Sequence, residues 1–237
     1  NLFDGGNLRN AIPRDAQALF GVPAAQADAF RRYAAELAEI FPAEYKYTDE
    51  NVRLEVTDAE RPAYVIDLPT QQALLLALQG VANGVLAMSY SLPGLPETSS
   101  NLASVKFVGE DHIVVTLSQR SSVESAKENA ARTIGAIFRL AGATVEHGEG
   151  YPGWAPDPSS HLLKVAENAY ERLFGTTPKV RAIHAGLECG LFLEKYPHLE
   201  MISVGPTMRG VHSPDERLEI AAVERFWKYL IEILRTI

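Results

Sequence analysis

The stretch H-G-E-G-Y-P-G-W-A-P-D-P, residues 147–158, packs three glycines and three prolines into twelve residues. Neither helix nor strand persists through such a composition, and boundaries between folding units tend to fall in it. Apolar patterning differs on its two sides, so its reading as a linker decides the fold. The expectation is two regions, residues 1–150 and 151–237.

Downstream the order reads helix (159–174), strand (179–183), helix (186–195), strand (201–204), helix (214–237). Short apolar strands alternating with helices predict a parallel α/β sheet. Two strands and three helices cannot close such a sheet, so further strands are expected from elsewhere. The last helix carries Ile220, Val223, Phe226, Trp227, Leu230, Ile233, Leu234 and Ile237 along one side, a stripe suited to a core or an interface.

Upstream the pattern differs. Ala16, Ala18 and Phe20 alternate with polar positions near a Gly5-Gly6 turn signal, which predicts a strand. A helix is predicted from Pro23 to about Phe41, with Pro42 stopping it. Two short strands (51–57, 63–66), a helix (71–81) and a strand (85–91) follow. After a polar loop (92–100), residues 102–108 and 112–119 flank Gly109 as a hairpin. Ser121 or Ser122 is expected to cap a helix to Leu140, and residues 144–146 form a last strand. This order resembles split βαβ units side by side: an antiparallel sheet with helices on one face.

Composition excludes several functions. The net charge is −8, with no basic run dense enough to track a phosphate backbone, so nucleic-acid binding is excluded. No apolar run approaches the length needed to cross a bilayer. A lone cysteine, Cys189, rules out an intrachain disulfide and fits a reducing cytoplasm. The chain opens at Asn1 without an initiator methionine or a signal-peptide pattern, which suggests a fragment of a longer protein.

Chemistry gathers in residues 183–216. Two apolar runs each empty into a glycine-marked loop followed by a helix, the arrangement in which α/β sheets bind ligands. His212 precedes Ser213, Pro214 and Glu216, which read as N-cap, first helical position and capping-box partner. A histidine on such stiff backbone suits a metal ligand or a catalytic group; it also suits a residue that merely hydrogen-bonds near a cap. Gly186 would let a small anion approach a helix N-terminus, or simply serve a tight turn. Cys189 reads as a small packed residue. Arg120 could hold a carboxylate in bidentate fashion, although most such arginines are solvated surface charges. No self-sufficient zinc motif, nucleophile elbow or phosphate-binding loop occurs.

Four motifs carry a resemblance: D-G-G-N-L-R-N-A-I-P-R-D-A (4–16), Y-P-G-W-A-P-D (151–157), I-H-A-G-L-E-C-G (183–190) and S-V-G-P-T-M-R-G-V-H-S-P-D-E (203–216). Weaker agreement includes E-T-S-S-N (97–101). Together they resemble the aminoacyl-histidine dipeptidases, the carnosinase-like Xaa-His dipeptidases. The resemblance implies a cytoplasmic metallopeptidase with two zinc ions, whose α/β catalytic domain is interrupted by a lid of ferredoxin-like units. Residues 1–150 would be most of that lid and residues 151–237 the C-terminal part of the catalytic domain. His212 matches the last zinc ligand. Arg120 would bind the C-terminal carboxylate of a dipeptide ending in histidine, Asn10 would polarise the scissile carbonyl, and the Gly186 backbone would lie against the substrate. His184 and Glu188 would support the site from behind.

The other zinc ligands and the general base of that family have no counterpart in this chain, so the chain alone is expected to be inactive. A homodimer is implied by resemblance only. The competing expectation is a non-catalytic ferredoxin-like binding or dimerisation module. An aminoacylase or carboxypeptidase relative would share the architecture but lack H-A-G-L-E-C-G.

Overall fold

The computed structural model describes residues 2–90, 94–109, 111–148, 150, 152–154, 157, 159–181, 188–211, 213 and 215–237, with Glu188 by its backbone alone. The upstream region is built on strand β4 (Pro96–Val108). The hairpin partner β5 (His112–Ser121) runs antiparallel along nearly its whole length, from Thr98↔Ser121 to Val108↔His112. On the other edge β4 pairs antiparallel with β3 (Gly84–Met88) through residues 96–100 and with β1 (Leu2–Gly6) through Ser104 and Val105. Strand β2 (Ala16–Leu19) completes the sheet beside β1.

A bulge at Ala103 lies between Leu102↔Leu117 and Ser104↔Thr116. It releases the Leu102 N–H from the ladder, and the Asn83 side chain accepts it at 2.8 Å. Gly6 closes against the bulge with φ +64°, a conformation open to glycine, and a β-carbon there would overlap the Ala103 carbonyl.

Helices α2 (Leu68–Gly80) and α3 (Glu124–Leu140) pack on one face of this sheet. Ala77, Val81, Ile134 and Phe138 are buried there against Leu102, Val115 and Leu117. Each large apolar side chain so buried contributes roughly 1.5–3 kcal/mol. The Asp67 carboxylate caps α2 by accepting the Thr70 N–H at 3.0 Å. The antiparallel sheet with helices on one face is therefore as expected.

Several local expectations are corrected. Helix α1 (Ala27–Tyr45) continues one turn past Pro42, because a proline near a helix end forfeits a single hydrogen bond. Residues 51–57, 63–66 and 144–146 form no strand; each lacks a ladder partner among the described residues. The polar stretch 96–100 joins β4 instead of looping, since its hydroxyls find partners across the sheet: Thr98 and Ser121 meet at 2.9 Å, and Gln119 donates to Ser100 at 3.3 Å. The N-cap of α3 is Val123, while Ser121 Oγ accepts the Val123 N–H at 3.0 Å.

Downstream, α4 (His161–Phe174) starts at the N-cap Ser160, whose hydroxyl accepts the Leu163 N–H, and ends at Gly175. It packs against α6 (Ile220–Thr236), burying Val165, Ala166, Ala169 and Ile233. The Tyr229 hydroxyl of α6 donates to the Ala166 carbonyl at 3.0 Å, and burial pushes that phenol's pKa up. Only part of the α6 stripe is used: Ile220, Trp227 and Leu234 remain 87%, 60% and 61% exposed.

The expected parallel sheet is absent from the described residues. Residues 179–181 and 201–204 carry no strand there, since an apolar run forms one only where a neighbour supplies hydrogen-bonding groups. Instead β6 (Met208–Arg209) pairs antiparallel with β7 (Arg217–Leu218) as a small hairpin. The expected capping box is not a helix start. Ser213 Oγ donates to the Gly210 carbonyl at 2.7 Å inside that hairpin, and α6 begins at Ile220 with Glu219 as N-cap.

Candidate functional site

Strand alternation assigns the faces of the sheet. Val115 and Leu117 of β5 point toward α2 and α3, so Thr116, Ser118 and Arg120 point to the opposite face. Cross-strand partners share a face, which brings Ser99 beside Arg120 and Asn101 beside Ser118. Lys106 and Asp4 form an ion pair on this face as well. It is a polar surface of hydroxyls, amides and one half-buried guanidinium. Among the described residues Arg120 forms no ion pair.

Asn10 reaches the same face by a different route. It lies in a turn in which the Ala11 N–H donates to the Leu8 carbonyl at 3.2 Å. The Asn101 carboxamide donates to the carbonyls of Arg9 at 3.2 Å and Ala11 at 2.8 Å, the two residues flanking Asn10. The turn that carries Asn10 is thus tied to the strand pair that carries Arg120, at Asn101, two positions along β4 from the Arg120 partner Ser99.

A second junction ties this sheet to the downstream region. The Gly153 N–H donates to Glu124 Oε2 at 3.0 Å at the start of α3. A β-carbon on Gly153 would come within 2.8 Å of the Ser121 carbonyl oxygen, beside Arg120. On the far side, helix α5 (Glu188–Lys195) presents Gly190, where a β-carbon would come within 2.6 Å of the Pro152 carbonyl oxygen. Residues 152–153 are therefore held between the end of β5 and α5. Burial pushes the Glu124 carboxyl up, but the hydrogen bonds from Lys127 and Gly153 outweigh it and hold its pKa below the ordinary glutamate value.

His184, Gly186 and His212 lie outside the described residues, as does the side chain of Glu188. Among the described residues no three His, Cys, Asp or Glu side chains gather as a metal site. These residues do not by themselves fit a metal centre. Cys189, in α5, is half-buried and unbonded to another cysteine.

Residues 20–236 match the model of the peptidase family M20/M25/M40. The chain belongs to that family. M20/M25/M40 membership agrees with two relatives of similar sequence. The chain is 35% identical over 235 residues to the cytosol non-specific dipeptidase of Escherichia coli (strain K12), covering 99% of this chain and 48% of that protein. The aminoacylhistidine dipeptidase of Vibrio alginolyticus superposes with a TM-score of 0.81 at 35% identity, over all of this chain and 48% of that one. The aminopeptidase PepT of Bacillus cereus shares the fold more distantly, with a TM-score of 0.52 at 18% identity over 70% of this chain and 44% of that one. The chain spans about half the length of the relatives it matches. Among the described residues no helix is long and apolar enough to cross a membrane.

Asn101 and the glycine pair Gly153 and Gly190 were not singled out from sequence as site residues. Asn101 closes the short E-T-S-S-N stretch, so a signal was present. The glycines sat within quoted motifs, but nothing local shows which backbone they approach.

Proposed function

We propose that the chain forms the substrate-holding side of a cytoplasmic zinc dipeptidase that hydrolyses Xaa-His dipeptides. The observation that carries the reading is Arg120 on the sheet face to which Asn101 ties the turn around Asn10. A half-buried guanidinium without a carboxylate partner among the described residues is suited to an incoming one, and the turn carrying Asn10 is tethered to the same strand pair. A dipeptide offers the matching pair: a terminal carboxylate and, one residue back, the carbonyl to be attacked.

In this reading residues 1–150 act as a lid and residues 151–237 belong to the catalytic domain, with the 152–153 junction fixing one against the other. Arg120 binds the substrate carboxylate, Asn10 donates to the scissile carbonyl, and the Gly186 backbone lies along the peptide. His212 is the chain's ligand to zinc, with His184 and Glu188 behind it. The remaining ligands and the general base come from residues other than these. A homodimer through the lid belongs to the same proposal.

The test uses the chain within a polypeptide that also carries an H-x-D pair and paired glutamates upstream. Dipeptides ending in histidine should be hydrolysed faster than tripeptides. A chelator should stop turnover and Zn²⁺ should restore it. His212→Ala should abolish activity at saturating substrate while leaving the circular dichroism unchanged. Absence of hydrolysis with zinc bound, together with dimerisation of the chain, would instead support a non-catalytic dimerisation module.

A further inference from the structure

We infer that Asn101 is a positioning residue, which fixes Asn10 against the sheet at a set distance from Arg120. This rests on the reading of Asn10 as the group that faces the scissile carbonyl.

The turn around Asn10 has little else to hold it. It belongs to the connection of residues 7–15 between β1 and β2, long for a hairpin. Asn7, Leu8, Arg9 and Asn10 are all exposed, and Leu8 and Ile12 bury little apolar surface, being 50% and 81% exposed. Segments with so few buried contacts open at low free-energy cost. Two backbone bonds, Gly6 N–H to Asp15 and Ala11 N–H to Leu8, close the connection upon itself. They shape the loop without fixing its orientation to the sheet.

Asn101 supplies the missing tether. Its side-chain nitrogen carries two hydrogens, and they go to the carbonyls on either side of Asn10. A carboxamide gripping both flanks of one residue fixes that residue's translation and its tilt. Asn101 stands on β4 next to Ser99, which pairs with Arg120, and the bulge at Ala103 lies just beyond it. The strand pair that carries Arg120 thus also carries the tether of Asn10. Asn101 sets the separation between a carbonyl-polarising donor and a carboxylate clamp, and that separation measures the length of the peptide.

The experiment compares wild type, Asn101→Ala and Asn101→Asp in the zinc-loaded full polypeptide. Asn101→Asp is isosteric but replaces the nitrogen that carries both donor hydrogens with an oxygen facing two carbonyls. Both variants should lose kcat on an Xaa-His dipeptide by roughly 10- to 100-fold, since small misplacements of a reacting geometry have effects of that size. KM should stay within about twofold, because Arg120 is untouched and a carboxylate clamp acts on binding. Amide hydrogen exchange at residues 8–11 should quicken, with the sheet protected as before.

Should Asn101→Ala fail to fold, Asn101→Gln keeps both donors one methylene further out and should show the same split between kcat and KM. An active wild type with unchanged kcat in the variants overturns the role of Asn101 alone. So does a rise in KM that matches the fall in kcat. A wild type that hydrolyses no peptide overturns the dipeptidase reading and this role with it.

Discussion

Gly6 and Ala103 approach so closely that the backbone of one occupies the space a side chain of the other would need. The end of β1 turns at φ +64° directly over the bulged carbonyl of β4. Gly6→Ala combines a left-handed conformation with an overlap against backbone, which cannot move aside as a flexible side chain can. The expected loss is on the order of 2–4 kcal/mol, read as a lower urea midpoint with an unchanged slope. Equal stability would mean that β1 does not close on the bulge.

Arg120→Ala should raise KM for Xaa-His dipeptides by roughly 10- to 150-fold, matching the ~1.5–3 kcal/mol of a hydrogen bond to a charged group. Its kcat should change far less. Amidating the substrate's C-terminus should produce the same penalty in wild type and no further one in the variant. Unchanged kinetics would remove Arg120 from the site.

Glu124 gives the junction a pH dependence. Its folded pKa lies below the ordinary value, so the contribution is fully present above the unfolded value and fades as pH falls through the folded one. Because half of the side chain is exposed, solvent screening limits the effect to about 0.5 kcal/mol. Wild type should melt slightly above Glu124→Gln at neutral pH, and the gap should close as pH falls below the ordinary glutamate range. A gap that widens in acid would contradict the hydrogen bonds from Lys127 and Gly153.

Gly153→Ala and Gly190→Ala probe the two sides of the 152–153 segment. Each adds a methyl group against a backbone oxygen and should cost about 1–3 kcal/mol. Limited proteolysis should then cut residues 147–158 faster. Unaltered cleavage in both variants would show that the segment is not clamped.

What could be read in advance depended on how far the deciding partner lay along the chain. Helices α3 and α4 and the β4–β5 hairpin were legible because their periodicity and turn are local, although the N-cap of α3 fell at Val123 and not at a serine. The extension of β4 back to Pro96 was not, since polar Thr98 and Ser100 become strand residues through Ser121 and Gln119, some twenty residues away. Residues 201–204 showed the converse: an apolar run alone does not make a parallel sheet. Ser213 was misread because an N-cap and a hairpin turn ask the same of serine, a hydroxyl near a free N–H, and only the carbonyl of Gly210 distinguishes them. For the proposed site, motif resemblance alone nominates Arg120 and Asn10. Asn101 was not, because its partners lie ninety residues or more earlier.

Apart from the Glu124 carboxylate, the junction at Pro152 and Gly153 meets its neighbours through main-chain atoms at Ser121, Ser122 and Gly190. A contact made of peptide groups carries no signature in the side chains around it. Sequences preserving this geometry could drift at position 122, yet would be pinned at two glycines thirty-seven residues apart that share no local pattern. The joint would then be nearly invisible to any comparison that weighs chemical similarity of side chains, and plain to one that asks where side chains are forbidden.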